Sequence, residues 1–204
     1  MSYRLKVIKD SPIGFWMLDE SSSSTVALDY SGCNNNGSYT GSPASNILPL
    51  VPGGGSGTKI TNSAYITFPI TGNYYANNTT PGMATKYSSD NDFTIECWVY
   101  PTAHTNWSRI IDFGNGAGNN CVLFSTSYGT SGKPGFYVGG AQFEATSQIP
   151  LNQWTHLAAT LSGSIATIYI NGVASGTANF PTPANVTRNY NYIGRSNWGW
   201  GDPA

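Results

Sequence analysis

Apolar and polar residues alternate most regularly from Phe93 to Tyr100. Phe93, Ile95, Cys97 and Val99 point one way, and Thr94, Glu96, Trp98 and Tyr100 the other, as in a strand with one buried face. Pro101 ends the run. Ala64, Ile66 and Phe68 alternate in the same manner with Tyr65 and Thr67. From Trp154 to Gly172 two β-rich runs, 154–161 and 165–170, flank the turn Ser162-Gly163-Ser164. Asn171-Gly172 then predicts a type I′ hairpin turn, and Val173-Ala174 a short third strand. Further short strands are expected at Phe15–Leu18, from Tyr39, and at Ile110–Phe113, Val122–Ser127, Phe136–Val138, Gln142–Ala145 and Tyr192–Gly194. Tyr3, Leu5, Val7 and Ile8 fit a strand or one helical turn before the break at Ser11-Pro12. No stretch combines a helical period with start and stop signals. Ten or more short strands at this spacing predict an all-β sandwich or barrel.

Residues 41–58, with Pro43, Pro49, Pro52 and the run Gly53-Gly-Gly-Ser-Gly57, read as a surface loop. The part before them is too small for its own core, so 1–204 is expected to be a single domain. Residues 70–91 read as a long polar loop and Phe180–Asn189 as a proline-containing one. Composition agrees with many turns: 24 glycines and 12 prolines accompany 39% hydrophobic and 13% aromatic residues. Charged residues are 9% and the net charge is −1, so the basic patch that drives nucleic-acid binding is absent. No apolar run approaches the roughly 20 residues that span a bilayer, and the N-terminus does not read as a secretion signal. Membrane insertion is therefore not expected. A location in a cytoplasm, or release by another route, is. Three cysteines cannot complete a disulfide framework. Cys97 reads as a small buried hydrophobe, with a Cys97–Cys121 bridge as the alternative.

Three stretches in order carry a family resemblance. They are Ser11–Glu20 with Asp29-Tyr-Ser-Gly32 and Asn36-Gly37; Phe93-Thr-Ile-Glu-Cys-Trp-Val-Tyr-Pro101; and Trp154-Thr-His-Leu-Ala with Ile168–Val173 and Tyr192-Ile-Gly-Arg195. Together they resemble the laminin G-like, concanavalin A-like lectin/glucanase domain. The resemblance implies an antiparallel two-sheet jelly-roll sandwich across almost the whole chain. It also implies one more strand after the Ile-Gly motif, where this chain instead ends at Gly201-Asp-Pro-Ala204. Either that strand is lost, leaving an open sheet edge that invites pairing with a partner, or another chain or the N-terminal segment is expected to fill its place. The opening motif resembles that of laminin G-like proteins of tailed-phage particles.

The fold hosts glucanases, but retaining cleavage needs two carboxyls about 5–5.5 Å apart. Glu20, Glu96 and Glu144 are each isolated in the sequence, so no catalytic residue is assigned. His156 reads as structural beside a packed Trp, and His104 as a solvated loop residue. No His/Cys cluster has metal-ligand spacing. The resemblance makes calcium the cation to consider, with Asp29 beside Asn34–Asn36 and Asp112 beside Asn115 as candidate oxygen donors. The competing reading is that both aspartates form turns with their own backbone. Trp107, Trp198 and Trp200 lie in polar, loop-like surroundings, with Arg195 and Asn197 adjacent. These five are the candidate ligand-binding residues, since sugars stack on aromatic rings beside placed polar groups. The competing reading has Trp198 and Trp200 covering the sandwich or meeting a subunit. Trp16, Trp98 and Trp154 are expected in the core.

The sequence thus predicts a non-catalytic structural or adhesive module of a phage virion, as a capsid decoration, fibre or tail-associated protein. Its expected partners are other virion proteins or itself as a homo-oligomer, and a cell-surface glycan. The alternative is a carbohydrate-binding module or lectin, calcium-dependent or not, outside the cell.

Overall fold

The computed structural model describes residues 2–42, 44–49, 56–61, 63–68, 92–184, 186 and 188–198. The alternating run becomes β6 (Phe93–Val99), and its register follows from which face is apolar. β6 pairs antiparallel with β11 (Thr155–Ser162), setting Cys97 against Leu157, Ile95 against Ala159 and Phe93 against Leu161 on the inner face. β12 (Ile165–Ile170) and β13 (Val173–Asn179) complete a meander and a four-stranded sheet of order β13-β12-β11-β6. Asn171 and Gly172 both have positive φ, 50° and 79°, as the type I′ turn requires.

The second sheet has eight strands. They are β1 (Val26–Ala27), β2 (Gly37–Thr40), β5 (Tyr65–Phe68), β14 (Tyr190–Ile193), β7 (Arg109–Gly114), β8 (Val122–Ser125), β9 (Gly135–Val138) and β10 (Ala141–Glu144), paired in that spatial order. Its inner residues Ile66, Phe68, Ile111, Phe113, Phe124 and Phe136 face Leu157, Ala159, Leu161 and Ile168 of the smaller sheet, and all are buried. This is the two-sheet antiparallel sandwich that the family resemblance implied, one of the two architectures that the strand spacing allowed.

Local differences have identifiable causes. The first segment takes the helical of its two expected forms, as α1 (Tyr3–Lys9), capped by Ser2, whose Oγ accepts from Leu5 N at 3.4 Å. It buries no residue, so it carries no apolar stripe to announce it. Phe15–Leu18 forms no strand beyond a Trp16–Asp29 bridge, because Leu18 turns left-handed at φ 56°. The stretch 41–58, expected as a loop, contains a hairpin of β3 (Ala44–Pro49) and β4 (Ser56–Lys59) with two register irregularities. Cys33, Cys97 and Cys121 are all free thiols, so the Cys97–Cys121 bridge does not form. Of the three tryptophans expected inside, only Trp16 packs on the core. Trp98 lies half-buried on the outer face of β6, and Trp154 is half-buried against Tyr100 at 5.5 Å.

Candidate functional site

The residues of interest gather on the outer face of the eight-stranded sheet. Strand alternation turns Tyr65 and Thr67 of β5 outward while Ile66 and Phe68 go to the core. On β14, Tyr192 stands opposite Thr67 on one side and Asp112 of β7 on the other, so all three share that outer face. Tyr190, two residues earlier, projects the same way and is 48% exposed. Leu123 of β8 pairs with Asp112, and Tyr137 of β9 with Leu123, which extends the row.

Asp112 anchors the site. It has no exposed surface, although its strand position faces outward. The segment after β14 folds back over it. Asp112 Oδ2 accepts from Arg109 Nε at 3.2 Å and from Asn197 N at 2.9 Å, and Oδ1 accepts from Asn197 Nδ2 at 2.8 Å. Burial pushes the carboxyl above its ordinary range, against the opposing pull of Asn197 and Arg109. The Arg109 guanidinium also donates to Trp107 O at 2.5 Å and Ser196 Oγ at 3.2 Å. It lies between two indoles, 5.4 Å from the Trp107 ring centroid and 5.4 Å from that of Trp198. Trp198 meets the edge of Tyr137 at 5.6 Å and remains 38% exposed.

Beside this lies a second group. Gly194, at φ 79°, donates its N–H to Ile110 O at 3.1 Å and turns the chain out of the sheet. Arg195 then returns across the outer face. Its guanidinium carbon is 4.5 Å from the Tyr65 ring centroid and 5.3 Å from that of Tyr192, and Nη1 donates to Tyr65 Oη. The two tyrosine rings stand nearly perpendicular, 5.9 Å apart. Burial raises the Tyr192 hydroxyl above its ordinary value, and Arg195 pulls the other way.

The structure therefore brings Arg195, Asn197 and Trp198 to one face, with Trp107 beneath. Trp107 is half-buried, packed on Tyr128 at 4.4 Å, with φ at 50°; it supports Arg109 and is not the open platform its polar neighbours suggested. Trp198 lies over the Arg109 guanidinium of the Asp112 pair and still presents surface. Trp200 lies outside the described residues. Asp29 is elsewhere, stapling a loop: Oδ1 accepts from Phe15 N and Ser31 N, each at 2.9 Å, and Oδ2 from Ser31 Oγ at 2.7 Å and Asn35 N at 2.8 Å. Asp29 thus holds its own loop, while Asp112 pairs with Arg109 three residues away and takes its long-range contacts from Asn197. Among the described residues no group of three His, Cys, Asp or Glu could hold a metal ion.

Sequence reasoning missed Arg109, Tyr65, Tyr190 and Tyr192. The outward tyrosines were readable from the period-2 alternation; Arg109 gave no signal. The glutamates are separate. Glu20 accepts from Leu28 N and Tyr39 Oη, Glu144 pairs with Lys133 at 3.1 Å, and Glu96 pairs with His156 Nε2 at 3.4 Å on the other sheet. His156 also lies against Trp98 at 5.2 Å, the structural setting expected for it. His104, expected to be solvated, is half-buried against Gly132, whose missing Cβ makes room for its ring. A distinct cleft of about 180 Å³, walled by Cys121, Pro181, Pro183 and Arg188, holds none of the expected site residues.

The model for the laminin G-like group of the concanavalin A-like lectin/glucanase superfamily matches residues 71–204. No curated protein matches the chain. Domain 4 of AbnA, an extracellular arabinanase from Geobacillus stearothermophilus solved with arabinotriose, is similar at TM-score 0.57 and 22% identity over 86% of this chain and 80% of that one. Botulinum neurotoxin type C, whose entry into cells depends on two ganglioside molecules, is similar at TM-score 0.59 and 16% identity over 93% of this chain and 44% of that one. A Trypanosoma rangeli sialidase in complex with the inhibitor DANA is similar at TM-score 0.55 and 16% identity over 87% of this chain and 27% of that one. This chain thus spans less than half the length of the toxin and sialidase chains, and at these identities the likeness is one of fold.

Proposed function

The chain belongs to the concanavalin A-like lectin/glucanase superfamily, and on that premise we propose that it is a non-catalytic glycan-binding module. The observation that carries this is the outer face of the larger sheet, where Trp198, Tyr190, Tyr192 and Tyr65 are held beside Arg195 and Asn197. Aromatic rings offer flat apolar surface to the C–H faces of sugars, and the adjacent N–H and O–H groups fit sugar hydroxyls. The buried Asp112–Arg109 pair fixes the Trp198 segment before any ligand arrives, which lowers the ordering cost of binding. No two glutamates converge among the described residues, and each has its own partner elsewhere. Retaining cleavage would need two carboxyls about 5–5.5 Å apart, and on this face the described carboxylate, Asp112, is buried and paired with Arg109.

The setting we propose is the surface of a tailed-phage particle, on the strength of the opening motif, with a cell-surface glycan as partner. Co-purification of the chain with intact virions tests that setting. A glycan array tests the binding itself. Wild type should bind a defined glycan set, and Trp198→Ala should weaken it at least tenfold. Chelator should change nothing, because both candidate aspartates already accept N–H donors on both oxygens. A blank array, or wild-type signal from Trp198→Ala, overturns the reading.

A further inference from the structure

We infer that Arg195, Tyr65 and Tyr192 form a carboxylate-reading subsite, so that the glycan taken by this face is an acidic one, carrying a uronate or sialate type of carboxylate. The inference rests on the glycan-binding reading above and narrows it to a substrate class.

The first reason is charge. Among the described residues the ion pairs are Arg109 with Asp112, Lys133 with Glu144, and His156 with Glu96; Arg195 is in none of them. The carboxylate nearest in register, Asp112, is fully buried and already paired with Arg109. Among the described residues, the outer face around Tyr65 and Tyr192 therefore carries one positive charge outside any ion pair, and it is exposed. Lined by neutral tyrosines, it is complementary to an anion.

The second reason is fixation. An ordinary surface arginine samples many rotamers and loses that freedom on binding. Arg195 already lies against two rings and donates to Tyr65 Oη. Its planar fork matches the two oxygens of a carboxylate better than a lone hydroxyl, and an ionised acceptor strengthens each hydrogen bond.

The third reason is donor polarity. A phenol has one donor and two acceptor positions. Tyr65 Oη accepts from Arg195, which leaves its own O–H to give. The corner thus presents guanidinium N–H and phenol O–H groups together, an arrangement that favours an acceptor-only ligand. Tyr190 and Trp198, further along the same face, supply rings for the neighbouring sugar units.

The test is calorimetric titration of the full chain with galacturonate oligosaccharides and with a sialylated oligosaccharide. Each is compared with its carboxyl-reduced or asialo counterpart, and inorganic sulfate serves as a competitor. The acidic forms should bind about tenfold or more tightly than their neutral counterparts at low salt. Arg195→Gln should erase that preference, with the acidic form losing about tenfold more affinity than its neutral counterpart. Arg195→Lys should restore only part of it. Equal affinity for acidic and neutral forms overturns the subsite and leaves the glycan-binding reading standing. Binding of neither form overturns both. A preference that survives Arg195→Gln places carboxylate recognition elsewhere. Competition by sulfate at matched concentration reduces the site to a general anion contact, which also overturns the assignment.

Discussion

Replacing Asp112 by alanine isolates the ion pair beneath the Trp198 segment. The carboxylate is fully buried and accepts three hydrogen bonds, one from Arg109 and two from Asn197. Losing the two Asn197 bonds alone costs about 1–3 kcal/mol. The larger effect lies with Arg109, whose side chain is 2% exposed and loses the carboxylate that faces its Nε while still donating to Trp107 O and Ser196 Oγ. Removing one partner of a buried ion pair costs about 3–5 kcal/mol. At about 2–4 °C per kcal/mol for a domain of this size, the melting temperature should fall by about 6–20 °C. Urea unfolding followed by tryptophan fluorescence gives the free energy directly, with an unchanged m-value as the check that the unfolded state is the same. The companion variant removes both charges, Asp112→Ala with Arg109→Met, and should recover at least half of the loss, because no charge is then left uncompensated. A single-variant cost below about 1 kcal/mol, or a double variant as unstable as the sum of the singles, would refute the assignment of the ion pair as the anchor of this face.

Other outcomes follow from separate contacts. Gly114→Ala should destabilise by about 1–3 kcal/mol, since its Cβ would sit 2.5 Å from Cys121 Sγ, and Cys121→Ala should reverse most of that in a melting experiment. The hydrogen bond from His156 holds the Glu96 carboxyl below its ordinary value of 4.5. The stability gained through Glu96 is therefore present above pH 4.5 and lost as the pH falls through the depressed value. With Glu96 about half exposed the amount is under about 1 kcal/mol, and Glu96→Gln should flatten the acid limb of the stability profile by that much.

The sandwich was legible because its strands obey the period-2 rule where burial is one-sided. β6 is the clearest case, and the Asn171-Gly172 turn fixed the meander. Segments whose apolar residues lack a consistent face were not legible. α1 buries nothing, and the β3–β4 hairpin is hidden in a proline- and glycine-rich composition. The candidate site was half legible. Arg195, Asn197 and Trp198 stood out as polar and aromatic neighbours in sequence. Their foundation did not, because Asp112 and Asn197 are 85 residues apart and meet only once β14 pairs with β7. Read locally, Asp112 was a turn or a calcium ligand; in the folded chain it is the acceptor that seats the final described segment.

The seating of β14 between β5 and β7 bears on how the molecule is made. A ribosome delivers Tyr65–Phe68 well before Tyr190–Ile193, so the larger sheet waits as two unjoined halves until β14 emerges. During that wait both halves offer raw hydrogen-bonding rims to other nascent chains. Joining is then a late, long-range event of the slow kind, and the Arg195–Tyr65 contact, spanning 130 residues, marks its completion. The corner formed by Arg195 and Tyr65 can therefore exist only once β14 has docked.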